Sequence, residues 1–461
     1  MSRAKTIADE VKSQILAGRY HAGTRLPSIR EAAQLFGVSK NTISEVYEQL
    51  SARGLVESRR GSGVYVTGNR MPPERVEAPH VDEAISIVSL LRAQLDQNYA
   101  LRPGDGRPPP EWMEEMELRR SSTRNRAGRA VDEHGYGSPW GLRPLREWLV
   151  RSLAERGIQT GLDGVMLTHG INHGFDLIIR QHLKPGDTVF VESPGYYPLF
   201  AKLALAQVQV VPISRGPHGP DMDELEAALA RATPRLFFMQ SQAHNPTGGG
   251  LSAANAFLLM RAAEAHDFIL VENDVFADIL PGNLPRLAAL GLRDRVLYLG
   301  SFSKTLSASL RCGYICGDAR QVHDLVNLKM VTMVSSSGQV EQMVLDCVLR
   351  GQYARHLQKL ITRVRAGHQA SLEALTKAGF SPGVPGGRGF YVWLPLPDTT
   401  NEAALNAAAF KQGIFLAPSS VFYPEKAERK PQGLRINVAY GADPVLIEFL
   451  RQTVPLCQTG A

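Results

Sequence analysis

The stretch GSFSKTLSASLRCGY, residues 300–314, sets one lysine between two serines and seven residues ahead of an arginine. The apolar run Val296–Leu299 leads into it, so Lys304 follows the end of a short strand. An amine held beside other cations or in a dry pocket sheds its proton readily and condenses with carbonyls to imines. The hydroxyls of Ser301 and Ser303 and the guanidinium of Arg311 suit a phosphate group. Taken alone, the stretch reads equally well as a serine-rich loop carrying a solvated lysine.

Outward from Lys304 the same pattern repeats. Short apolar runs at Gly164–Leu167, Thr188–Val191, Val208–Pro212, Leu236–Met239, Phe268–Val271 and Val296–Leu299 alternate with helical segments. Strands alternating with helices predict an α/β fold with a mostly parallel sheet. In open α/β sheets ligands collect beyond the carboxyl ends of the strands. Those ends carry Gly170–Asn172, Pro194–Tyr196, Asn245, Asn273–Phe276 and Ser301–Lys304.

The N-terminal end has a different character. Of a net charge of +6, residues 1–70 hold +5, from eleven basic and six acidic residues. Such a segment suits a phosphate backbone. Ile7, Ala8, Val11 and Ile15 recur at helical spacing and predict a helix over 5–17, ended by Gly18. Ser28 and Glu31 fit a capping box that opens a second helix, ended by Gly37. A third helix is predicted over 40–52, with Ile43, Val46, Tyr47 and Leu50 on one face. Leu55–Ser58 and Val64–Val66 flank RRGSG as a hairpin with a basic tip. Three helices and a basic hairpin give the winged helix-turn-helix order, in which the start of the last helix meets base edges. Here that start is Ser39-Lys40-Asn41-Thr42. Arg30 and the wing residues Arg59 and Arg60 are placed to meet phosphates.

The chain of 461 residues predicts roughly two or three domains. We expect a winged helix over 1–68, a polar, proline-containing linker over 69–100 with a short helix near 85–95, and an α/β body over 101–461. No apolar run has membrane-spanning length, and the first residues lack the apolar core of a secretory signal. Cys312, Cys316, Cys347 and Cys457 are scattered and form no paired metal motif. The expectation is a reduced, cytoplasmic protein without membrane contact or metal.

Two family resemblances follow. LPSIREAAQLFGVSKNTISEVYEQLSARGLVESRRGSGVYV resembles the GntR-type winged-helix domain over residues 6–66. The resemblance implies double-stranded operator DNA as partner and contacts from Arg30, Ser39, Lys40, Asn41, Thr42 and the wing around Gly61 and Gly63. Lys40 stands where the family often has arginine. Residues 101–440 resemble fold-type I aminotransferases, in order, through HGYGSPWGLRPLREWL (134–149), THGINHGFDLI (168–178), ESPGYYP (192–198), HNPTGG (244–249) and GLRINVAY (433–440). This resemblance implies pyridoxal 5'-phosphate as an imine on Lys304 and a small C-terminal subdomain. It gives Asn245 a hydrogen bond to the phenolic oxygen and stacks Tyr196 on the ring. Ser301, Ser303, Arg311 and the amides near Ile171 and Asn172 hold the phosphate. Tyr136 reaches a neighbouring subunit of a homodimer, and Arg435 binds a carboxylate.

One segment departs from that pattern. Aminotransferases end the strand after Asn-Pro-Thr-Gly with an Asp, which keeps the pyridine nitrogen protonated, and place a Tyr three residues later. By spacing, Asn273 replaces the Asp and Phe276 the Tyr. Asp274 is adjacent, but neighbours in a strand face opposite ways unless a bulge intervenes. We therefore expect the cofactor to bind and transamination to be weak or absent.

Head and body together resemble the MocR family of regulators, which implies transcription control by an amino-acid-like or cofactor-derived effector. Two alternatives stay open on the residues: an active aminotransferase with an accessory DNA-binding head, and a repressor that uses a vestigial fold without cofactor.

Overall fold

The computed structural model describes residues 3–16, 19–52, 54–59, 62–67, 79–95, 99–113, 135–291, 293–384, 386–424 and 430–458. The chain forms two compact units, 1–78 and 79–461.

In the first unit α1 (Arg3–Leu16), α2 (Ile29–Phe36) and α3 (Lys40–Ala52) precede a hairpin of β1 (Val56–Arg59) and β2 (Gly63–Val66). Apolar residues at helical spacing, among them Ala8, Val11, Ile43, Val46 and Leu50, bury against one another and against Val56 and Val66. Ser28 and Glu31 form the expected capping box, and Gly37 ends α2 in the left-handed conformation. The Tyr47 hydroxyl donates to the Pro27 carbonyl at 2.6 Å and ties α3 to the loop before α2.

The second unit opens with α4 (Pro79–Ile87) and α5 (Ser89–Leu95). These helices occupy much of the span read above as linker; Leu90 is buried in the main core, with Ile87 and Leu91 packed against it. All six predicted runs form strands: β3 (Val165–Thr168), β4 (Thr188–Ser193), β5 (Gln209–Gly216), β7 (Leu236–Met239), β8 (Ile269–Asn273) and β9 (Val296–Ser301), with the short β6 (Gly219–Pro220) after β5. The sheet order is β3-β10-β9-β8-β7-β4-β5-β6. The strand β10 (Gly313–Cys316) lies antiparallel between β3 and β9, so the GYIC run after Arg311 returns the chain into the sheet next to its β3 edge. Residues alternate between faces. Val271, Leu297 and Leu299 join one core, while Leu270 and Val296 join another on the opposite face. A smaller sheet pairs β11 (Tyr391–Pro395) with β12 (Gly433–Asn437) over its own core, which includes Leu394, Leu434, Ile436, Leu446 and Phe449. This is the smaller C-terminal subdomain.

No helix among the described residues is long and apolar enough to cross a membrane. Among them, too, no group of three or more His, Cys, Asp or Glu could hold a metal ion.

Candidate functional site

The carboxyl ends of β3, β4, β7, β8 and β9 converge with β11 and β12 around Lys304. Lys304 is partly buried, and its Nζ donates to the Gly106 carbonyl at 2.5 Å. Burial pulls its pKa down to about 8, assisted by the cations Arg435, Arg107 and Arg311 against the opposing charge of Asp105.

The expected phosphate partners lie together. Arg311 Nη1 donates to Ser303 Oγ at 3.3 Å, and the Ser303 amide donates to Ser301 Oγ at 3.1 Å. Arg311 has φ 48°, a left-handed conformation that costs a non-glycine residue about 1 kcal/mol or more. That conformation aims its guanidinium at Gly170, where an added Cβ would stand 2.6 Å from Nη2. Gly170 has φ 74° and is the N-cap of the helix Ile171–His182, which therefore presents free amides beside Arg311. Tyr196 begins the helix after β4, and its hydroxyl donates to Asn172 Oδ1 at 3.3 Å.

Asn245 and Arg435 face each other. Arg435 is 1 % exposed, donates from Nη1 to Asn245 Oδ1 at 2.9 Å and from Nη2 to the Gly104 carbonyl at 2.7 Å. Its guanidinium carbon lies 4.8 Å from the Tyr391 ring centroid and 5.0 Å from that of Phe422. Its Nε finds no partner among the described residues. Gly104 packs directly on the Leu416–Ala417 backbone, which a Cβ there would meet at 2.4–2.5 Å. Asn245 is held from behind: its amide donates to Gln240 Oε1, and the Gln240 amide donates to Glu192. Glu192 is buried against Arg215 and, at 3.4 Å, His244. Burial and the Arg215 charge lower the His244 pKa to about 4, so the ring is neutral.

The strand after this loop settles where Asp274 points. Asn273 is 7 % exposed, with Oδ1 buried and unpartnered among the described residues. It shares a face of β8 with Val271, toward the Tyr196 side of the sheet, and both Tyr196 and Asn273 line one small cavity. Asp274 is turned away: Arg286 donates to its Oδ2 at 2.6 Å and Tyr298 at 3.0 Å, within a fully buried ion pair. No bulge brings it to the Asn273 side, which corrects its place among the candidate cofactor ligands. Glu272 shares that outer face, and burial and Asp274 raise its pKa to about 7. Phe276 is 1 % exposed and packs on Phe390 and Tyr391, so no hydroxyl enters from that position.

Sequence reading missed the segment 102–107. Asp105 accepts from Gln94, Arg102 and Arg107, and Asn437 Nδ2 donates to the Asp105 and Arg107 carbonyls. These contacts hold Gly104 and Gly106 against Arg435 and Lys304. It missed Tyr391 as well, whose hydroxyl donates to the Gly106 carbonyl at 2.8 Å. The signal was faint: LRPGDGR carries a glycine pair and an acid between two arginines, and nothing in it names Lys304.

In the first unit Arg30, Ser39, Lys40 and Asn41 are exposed at the starts of α2 and α3, and Thr42 is half-buried. Ser39 caps α3, accepting from the Thr42 amide at 3.2 Å. Arg59 pairs with Glu57 at 2.6 Å and lies over the Tyr65 ring. Gly63 takes φ 119°, and a Cβ there would stand 2.8 Å from Arg25 Nε, which brings Arg25 to the wing. Arg60 and Gly61 lie outside the described residues. Tyr136 is 88 % exposed.

Residues 94–452 match the family model for aminotransferase class I and II, and residues 3–66 match that for bacterial regulatory proteins of the gntR family. The probable rhizopine catabolism regulatory protein MocR of Rhizobium meliloti is 30% identical over 81% of this chain and 77% of its own length. The chain belongs to the MocR group of GntR-type regulators. This regulator is also 26% identical to the HTH-type transcriptional regulator YdcR of Escherichia coli, over 95% of this chain and 96% of YdcR. TauR of Rhodobacter capsulatus is 27% identical over 91% of this chain and 89% of its own. Among solved structures, the kynurenine aminotransferase of Pyrococcus horikoshii, in a complex with PMP, superposes with a TM-score of 0.70 at 25% identity. That match covers 80% of this MocR-type chain and 93% of the aminotransferase.

Proposed function

We propose that this protein is a DNA-binding transcription regulator that holds pyridoxal 5'-phosphate on Lys304 and senses an amino-acid-like effector. The residues present fit that cofactor. A lysine with a lowered pKa, an arginine aimed at a glycine-capped helix start and an Asn273 Oδ1 unpartnered among the described residues lie at the carboxyl end of the sheet. Ser301, Ser303, Arg311 and the amides at Ile171 and Asn172 would hold its phosphate. Tyr196 and Asn245 would contact the ring, and Asn273 would face its nitrogen. Bound there, the cofactor supplies an aldehyde for amines and an electron-withdrawing ring. Arg435 would grip an effector carboxylate bidentately once Asn245 and Gly104 release it.

The observation that carries the sensor reading is the pairing of Asp274 with Arg286, which leaves a neutral amide at 273. A neutral amide does not hold a proton on the pyridine nitrogen, so the site favours attachment over turnover. Exposed Arg30, Lys40 and Asn41, with Arg59 and Gly63 of the wing, would meet operator DNA. The exposed Tyr136 supports a homodimer in which it reaches the partner site, and repeated half-sites would suit that dimer. A ligand switches such a regulator only by binding one arrangement better than the other.

The test uses the full chain, loaded with pyridoxal 5'-phosphate, on DNA from the region upstream of its own and any divergent neighbouring gene. Amino acids are added while DNA binding and visible absorbance are followed. The expected outcome is specific binding that the amino acid alters, with a stable spectral change and no conversion to the amine form. Turnover at the rate of a dedicated aminotransferase would sink the sensor reading. Operator binding indifferent to Lys304→Ala and to the cofactor would favour the cofactor-free repressor.

A further inference from the structure

Lys304 follows β9 and Tyr391 opens β11, yet both donate to one oxygen. Lys304 Nζ reaches the Gly106 carbonyl at 2.5 Å and the Tyr391 hydroxyl reaches it at 2.8 Å. Tyr391 is 1 % exposed, so its hydroxyl is fixed there rather than sampling solvent. Its ring is wedged between the Phe276 ring, at 5.7 Å and 77°, and the Arg435 guanidinium. The loop carrying Asn245 presses on the same strand: a Cβ at Gly248 would stand 2.6 Å from the Tyr391 carbonyl. The hydroxyl that the aminotransferase pattern places at 276 is missing, and a different hydroxyl, from β11, stands beside the lysine.

We propose that Tyr391 is a positioning residue that keeps the Lys304 amine available for carbonyl chemistry by competing with it for the Gly106 carbonyl. An ammonium gains more from a carbonyl acceptor than a neutral amine does. A second donor takes the oxygen's other lone pair and withdraws electron density from it, which weakens it as an acceptor and reduces that gain. The charged groups facing Lys304 are Asp105 on the 102–107 segment, which favours the ammonium, and Arg107, Arg311 and Arg435, which oppose it. Tyr391 adds to the second set without adding charge. Only the neutral amine attacks an aldehyde: its lone pair forms the C–N bond, and the carbonyl oxygen leaves as water after taking up the amine protons.

The proposal rests on Lys304 as the attachment site, and its test is built so that the two fail separately. Tyr391→Phe removes one oxygen and leaves the ring between Phe276 and Arg435. In the cofactor-free full chain, acetylation of Lys304 is followed against pH by peptide mass spectrometry. The expected midpoint rises by about one pH unit, which leaves about tenfold less neutral amine at pH 7. Attachment of pyridoxal 5'-phosphate at pH 7, followed by absorbance, slows by about the same factor and recovers as the pH is raised past the new midpoint. Tyr391→Met, which also lacks the hydroxyl, shifts the midpoint the same way should the Phe variant not fold. A midpoint indistinguishable from that of the unsubstituted chain overturns the proposal. If the unsubstituted chain never attaches the cofactor, the attachment reading fails, and the acetylation midpoint still decides the role of Tyr391.

Discussion

The two ends of the Lys304 pocket are unequal. At the Lys304 end a lysine, two serines, an arginine in a left-handed backbone and the buried Arg435 are assembled with close contacts. At the end beyond β8 the amide Asn273 stands on the inner face, and the adjacent carboxylate, Asp274, is tied to Arg286 on the outer face. On the function proposed above, a site that holds the cofactor but lacks an acid at 273 would bind and report rather than turn over. The contrast also explains how the fold tolerates the loss. Asp274 is part of the packing behind the sheet, so the change at 273 leaves the buried ion pair intact.

The comparison is broken most sharply at its complete end. Lys304→Ala should abolish covalent attachment of pyridoxal 5'-phosphate and its visible imine absorbance, while the thermal midpoint of the cofactor-free chain stays close to that of the parent. Borohydride trapping and intact mass check this. A variant that still gains the cofactor mass at one site would place the attachment elsewhere.

At the incomplete end, the outer acid should matter to stability alone. Removing one partner from a fully buried ion pair costs about 3–5 kcal/mol. Asp274→Asn should therefore lower the unfolding free energy by that order, measured by denaturant titration, and leave the spectrum of any folded, cofactor-bound fraction unchanged. A shifted absorbance band with little loss of stability would mean that Asp274 does address the cofactor.

The inner position offers the converse. Asn273→Asp restores a carboxylate to the face shared with Tyr196. One pKa unit of added proton affinity at the ring nitrogen corresponds to about tenfold in the protonated fraction. Conversion of bound cofactor to the amine form by amino acids, followed in single-turnover mixing, should accelerate by about that factor. No acceleration would show that something other than the ring partner limits turnover.

Much of this asymmetry was legible in the residues before any coordinates. The short apolar runs that became β3, β4, β5, β7, β8 and β9 read as buried strands, and the Asn273 and Phe276 departures follow from spacing within one segment. Local pattern also predicted the capping box and the hairpin. What stayed hidden depends on distant partners. Lys304 meets Gly106 across 198 positions, Tyr391 meets it across 285, and Arg435 meets Gly104 across 331. No periodicity records such pairings, so neither the Asp105 hub nor Tyr391 could be picked out. The same holds for β10, which is not among the predicted strands and whose four residues become a strand only between β3 and β9. The short helix expected near 85–95 corresponds to α5 and the end of α4, while the start of α4 was obscured because the polar residues just before it dominated the composition of the span.

The smallest expected effect lies in the other unit, where the question is which exposed cations work on DNA. Arg30 and Lys40 are exposed and have no carboxylate partner among the described residues, whereas Arg59 is already paired with Glu57 and stacked on Tyr65. A side chain that neutralises a phosphate releases counterions, so its removal reduces the salt dependence of binding by about one unit of slope. Lys40→Ala and Arg30→Ala should each lower the slope of log affinity against log salt by about that amount. Arg59→Ala should lower it less, because leaving Glu57 and Tyr65 offsets part of the gain. Anisotropy titrations on one operator fragment across a salt series measure all three. Equal slopes for the three variants would erase the distinction and put the wing on the same footing as the recognition helix.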